Sequence, residues 1–121
     1  MGPVPTDDGS DDALQAVVRA LGAAARESNL ARVGVLEEAL AALAAGALSV
    51  ELRDRAVTSA HQVVGSAGTF GKRRSSALAA DLERWLREVP LPGPALARLG
   101  WARGQLGDLR ADLTSEHRDD V

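Results

Sequence analysis

Of the two histidines in this 121-residue chain, His61 has the more unusual setting. It lies inside Ala60-His61-Gln62-Val63-Val64-Gly65-Ser66-Ala67-Gly68-Thr69-Phe70-Gly71, the middle and end of a long helical pattern. Leu52, Ala56, Ala60, Val63 and Ala67 recur as a buried helix stripe would, and His61 sits about 100° round from that stripe, at its edge. Its imidazole is therefore expected to reach solvent, and a neutral imidazole is a competent nucleophile near neutral pH. One turn on, Gly65 stands where an ordinary helix former would be more stable by about 1 kcal/mol. A large group approaching the ring is a physical reason to leave that turn bare.

A nucleophilic ring needs something to hold it. If the chain reverses near residues 70 to 72, two antiparallel helices place side by side those positions whose numbers sum to about 142. His61 and Glu83 then become neighbours. A carboxylate that accepts a hydrogen bond from Nδ1 leaves Nε2 free to react. The competing role for Glu83 is a surface ion pair with Arg87 at i+4.

Other chemistries fit less well. Gly65 to Lys72 imitates a phosphate loop, but the first glycine is one residue too early, Arg73 stands where a Mg²⁺-binding hydroxyl belongs, and a helix rather than a strand precedes it. Ser66 is five residues from His61 and faces another way, without an acid, base and oxyanion set. Two distant histidines and no cysteine make a structural zinc site implausible. His117 lies in a polar C-terminal segment and is expected only to be solvated. Lys72-Arg73-Arg74 is read as a solvated cap on the next helix rather than a phosphate contact.

The order His-x-x-x-Gly-Ser-Ala-Gly-Thr-Phe-Gly resembles the signature of histidine phosphotransfer (HPt) domains, and its Ala-Gly-Thr-Phe-Gly part looks most like the phosphotransfer domain of chemotaxis kinases. The resemblance covers residues 29 to 113. It implies a four-helix bundle, His61 as phosphoacceptor and Glu83 as the glutamate that orients it. It also implies a docking surface of Val57, Gln62, Val64, Gly65 and Gly68. The implied partners are a response-regulator receiver domain, which would bring its own Mg²⁺, and a histidine kinase; no cofactor is expected on this chain itself. Two positions depart from the family pattern: Val64 replaces the usual lysine and Ser75 the usual leucine. They favour the alternative of a degenerate module that binds a receiver or kinase without being phosphorylated.

The elements that would position His61 follow from periodicity. The fold class expected is all-α, an antiparallel up-and-down four-helix bundle with an additional short N-terminal helix. Residues 1 to 10 read as a flexible tail, 11 to 116 as one domain and 117 to 121 as a second tail. The short helix starts at Ser10 or Asp11 with Leu14, Val17, Val18 and Leu21 as its stripe. The next runs from about Asn29, buries Leu30, Val33, Leu36, Leu40 and Leu43, and stops at Gly46. Ser49 caps the His61 helix. Leu78, Leu82, Trp85, Leu86 and Val89 line the helix that follows, which Pro90, Pro92 and Pro94 end. From about Pro94 a last helix buries Leu96, Leu99, Leu106, Leu109 and Leu113, with Gly100, Gly104 and Gly107 allowing a close helix crossing.

Composition narrows the class. With 45% hydrophobic and 26% charged residues the chain has the balance of a folded globular domain. A net charge of −3 argues against nucleic acid, which demands a basic stripe. No apolar run nears the ~20 residues of a membrane span, and no export signal opens the chain. A cytoplasmic monomer is the resulting expectation.

Overall fold

The computed structural model describes residues 8–91 and 96–115. Among the described residues four helices make up the fold: α1 (Asp8–Ala44), α2 (Val50–Thr69), α3 (Arg73–Glu88) and α4 (Leu96–Thr114). Contacts join α1 to α2, α2 to α3, α3 to α4 and α4 back to α1, with none across either diagonal among the described residues. That ring of neighbours, with short connections, is an up-and-down four-helix bundle.

Each boundary has a local cause. At the end of α1, Gly46 adopts a φ of +69°, and the amides of Gly46 and Ala47 close onto Leu43 and Ala42 at 3.0 and 2.8 Å. Glycine takes this left-handed position without steric penalty. Ser49 Oγ then accepts the Leu52 amide at 3.0 Å, capping α2. At the far end of α2 the same device recurs, with Gly71 at φ +77° and the Lys72 amide bound to Ala67 at 2.8 Å. The turn into α3 is thus only three residues long. Val89 is extended, as the residue before Pro90 must be.

One apolar core draws on all four helices. Val33, Leu36 and Leu43 of α1, Ala56, Ala60, Val63 and Ala67 of α2, Leu82 and Leu86 of α3, and Ala102 and Leu109 of α4 are almost completely buried. Trp85 meets Trp101 edge to face, with centroids 6.1 Å apart, and Arg98 covers the Trp101 ring at 4.5 Å. Among the described residues, the buried polar side chains of Asn29, Ser75 and Asp112 are paired. Ser75 donates to Asp112 at 2.6 Å, joining α3 to α4, and Asn29 donates to Ser66 at 3.2 Å, joining α1 to α2.

Three expectations need correction. The additional short N-terminal helix is not a separate element, because residues 8 to 44 form one helix. Ala23, Ala24, Ala25 and Arg26 are among the best helix formers, and no proline interrupts them. No new helix starts at Asn29, which is buried, accepting from Arg32 at 2.8 Å as well as donating to Ser66. Leu14, Val17, Val18 and Leu21 are accordingly exposed rather than capping the core. Finally, Gly100, Gly104 and Gly107 face open space, since a Cβ on any of them would meet nothing within 4 Å. The stripe of Leu99, Ala102, Leu106, Leu109 and Leu113 carries the α4 packing instead.

Of the expected N-terminal tail, residues 8 to 10 are already helical. The rest of it, the C-terminal tail, His117, Pro92, Pro94 and the side chain of Leu96 lie outside the described residues.

Candidate functional site

About a third of a turn round from its core stripe, α2 presents a second strip. Val57, His61, Val64, Gly65 and Gly68 follow one another at helical spacing and share one face, with Gln62 about 100° round from His61. Val57 and Val64 are half-buried against the edge of the core, while Gln62, Gly65 and Gly68 are exposed. The His61 side chain keeps 71% of its surface accessible. The strip is convex, a shape for docking rather than for enclosing a small substrate.

Glu83 reaches this strip from α3. His61 Nδ1 and Glu83 Oε1 are 3.2 Å apart. The other carboxylate oxygen, Oε2, accepts from Arg87 Nη2 at 2.6 Å and Nε at 3.2 Å. The two roles weighed for Glu83 are therefore compatible, because a carboxylate has an oxygen for each. Arg87 entered the sequence reading only as a rival partner. Its i+4 spacing was visible, whereas its service to the His61 bond needed the third dimension.

The same register appears along the helix pair. A Cβ on Gly68 would meet Ser76 Oγ at 3.6 Å, Ser76 Oγ donates to the Val64 carbonyl at 2.8 Å, and Arg53 reaches the Val89 carbonyl at 3.5 Å. Those contacts fasten α2 to α3 on both sides of His61.

Electrostatics keeps Glu83 charged. Its side chain is only 14% exposed, and this burial pushes its carboxyl upward. Hydrogen bonds from Arg87 and His61, with their positive charges, outweigh that effect and hold it below its ordinary value of 4.5. An ionised carboxylate can only accept, so the neutral ring carries its proton on Nδ1. Nε2 then bears the lone pair, on the far side of the ring from Glu83.

The open position at Gly65 has no explanation inside the fold. Nothing lies within 4 Å of where its Cβ would be, so packing does not require a glycine there. Its carbonyl accepts from Thr69 Oγ1 at 2.9 Å.

Other polar candidates are engaged elsewhere. Asp81 of α3 accepts from Gln105 of α4 at 3.3 Å and pairs with Arg84 at 3.5 Å. Lys72 Nζ donates to the Ser115 carbonyl at 2.9 Å, tying the α2–α3 turn to the end of α4. Val64 is a neutral neighbour where the family pattern has a cation.

No helix among the described residues is long and apolar enough to cross a membrane. Compared with protein-family models, with curated proteins and with solved structures, the chain finds no match in any of the three.

Proposed function

We propose that this protein is a histidine phosphotransfer module, taking a phosphoryl group onto His61 and passing it to an aspartate of a response-regulator receiver domain in the cytoplasm. One observation carries the reading: an exposed mid-helix imidazole held through Nδ1 by a half-buried, ionised glutamate that is itself gripped by an arginine. In the forward step the Nε2 lone pair attacks phosphorus in line. The N–P bond forms as the bond to the donor's aspartyl oxygen breaks, and that aspartate leaves as a carboxylate. No proton need leave Nε2, and the positive charge that develops on the ring faces the Glu83 carboxylate.

A loose phosphoryl transition state demands positioning and charge neutralisation more than covalent machinery. The receiver would bring the Mg²⁺ and a cation, so this chain can manage with valine at position 64. Val57, Val64 and the bare backbone at Gly65 and Gly68 would receive the receiver's helix, with Gln62 at the rim. A histidine kinase is the second candidate donor.

The alternative, a degenerate module that binds without being phosphorylated, draws on Val64 alone. Ser75, the other departure, is fully buried and bonded to Asp112, so it serves the fold. The deciding experiment incubates the chain with a phosphorylated receiver and looks for acid-labile, base-stable label. Label on the wild type and none on His61→Gln, with the circular dichroism spectrum unchanged, is the expected result. Binding without label would establish the degenerate module, and full labelling of His61→Gln would exclude this histidine.

A further inference from the structure

The first third of α1 buries no side chain in the bundle. From residue 9 to residue 21 every side chain is exposed, a helical stretch of about 20 Å. Along it Leu14, Val17, Val18 and Leu21 make a continuous apolar stripe at i, i+3, i+4 and i+7, between 43% and 63% exposed. Such a stripe is the pattern of a helix that pairs with another helix.

We propose that this stripe pairs with its own copy, so that two chains associate through an antiparallel α1–α1 seam about a two-fold axis between Val17 and Val18. Charge selects this occupant and this direction. Asp11 lies before the stripe and Arg26 after it, and on a helical wheel both fall on the same flank. Neither has an ion-pair partner among the described residues. An antiparallel pair centred on the stripe sets Leu14 against Leu21 of the other copy. It also brings Asp11 within two residues, about 3 Å along the axis, of the other copy's Arg26. A two-fold axis makes that pair twice. A parallel pair would instead put the two copies' Asp11 and Arg26 on opposite sides of the seam and would form neither ion pair.

The molecule also provides room for the partner's end. A cleft of about 380 Å³ opens where α1 leaves the bundle, between Gly22, Ala25, Phe70 and Leu113, with Arg19 and Arg26 at its rim. In the antiparallel register the partner's residues 9 to 13, which include Asp11 and Asp12, lie opposite residues 26 to 22 and so over this cleft. An apolar floor with a cationic rim suits the acidic first turns of the helix.

The chain contains no cysteine, so single-cysteine variants report pairing directly. Wild-type protein is expected to sediment as a monomer–dimer mixture with a dissociation constant in the micromolar range. Val17→Cys, next to the axis, should form a disulfide-linked dimer by itself under mild oxidation. Leu14→Cys should not, but an equal mixture of Leu14→Cys and Leu21→Cys should. Arg26→Glu should weaken association by up to about fivefold per pair, and adding Asp11→Arg to it should restore the loss. Sedimentation as a monomer up to about 100 µM would overturn the proposal. So would self-linking of Leu14→Cys as efficient as that of Val17→Cys, which marks a parallel pair. Because Leu14→Asp breaks the seam far from His61, its labelling by a phosphorylated receiver separates failure of the dimer from failure of the phosphotransfer reading.

Discussion

The chemistry proposed for His61 rests on one carboxylate with two partners, and the partners can be removed separately. Glu83→Ala deletes both bonds and should slow phosphorylation by about tenfold, the lower end of what is lost with an orienting hydrogen bond. Glu83→Gln keeps an acceptor for Nδ1 but not the charge. If stabilisation of the cationic ring matters, its transfer rate in a rapid-quench assay should fall nearly as far. Arg87→Ala should have a smaller effect in the same direction, because it loosens the carboxylate without removing it. The linkage with pH has a definite sign. Glu83 titrates below its ordinary value of 4.5 in the fold. Its stabilising contribution is therefore complete above that value and disappears as the pH falls through the lower folded value. Wild-type urea midpoints should drop on acidification through this range by more than those of Glu83→Gln. Val64→Lys tests the departure from the family pattern: it should lengthen the lifetime of the isolated phosphoprotein, by the 0.2 to 1 kcal/mol typical of exposed charge pairs, yet weaken receiver binding if Val64 belongs to the docking strip. No change in either quantity would remove both roles.

Gly65 separates what α2 needs as a helix from what its surface needs as a site. With open space around the missing Cβ, Gly65→Ala should stabilise the fold by up to about 1 kcal/mol in chemical denaturation. Gly65→Arg should fold equally well but block transfer by standing over the imidazole; unchanged receiver affinity would argue against a docking surface there. Between α3 and α4 the buried Ser75–Asp112 bond makes the opposite case. Ser75→Ala should cost about 1 to 3 kcal/mol, since it strands an acceptor in the core. The pairing of α2 with α3 was legible from sequence because two glycines in four residues, Gly68 and Gly71, mark a tight turn that fixes the register of both helices, which is how Glu83 could be matched to His61. The extent of α1 was not. Apolar spacing around Leu14 to Leu21 looks the same whether a helix faces its own core or a second molecule. Asn29, a common cap, became a buried link to Ser66 only because α2 lies beside it. The glycines of α4 misled for a related reason: small residues allow a close crossing, but only the fold says whether a neighbour is there.

At the scale of the molecule, the core and the proposed dimer seam occupy different lengths of α1. The core spans α2, α3, α4 and the second half of α1, whereas residues 9 to 21 contribute no buried side chain. His61 lies eight residues, about 12 Å along α2, from the turn that sits beneath the projecting helix. A variant lacking residues 1 to 20 should therefore unfold in urea within about 1 kcal/mol of the full chain at low protein concentration, and its His61 should accept phosphoryl groups at an unchanged rate. Cutting from the other end should behave differently. Removal of residues 108 to 121 takes away Leu109 and Leu113, both in the core, together with the carboxylate of Asp112 that satisfies Ser75. Loss of a buried leucine costs about 2 to 5 kcal/mol, and a domain of this size has only about 5 to 15 kcal/mol in total, so this second variant should lose its cooperative unfolding transition. The comparison uses circular dichroism during urea titration of both truncations. If the N-terminal truncation also abolished cooperativity, the projecting third of α1 would have to support the bundle in a way that none of its exposed side chains accounts for.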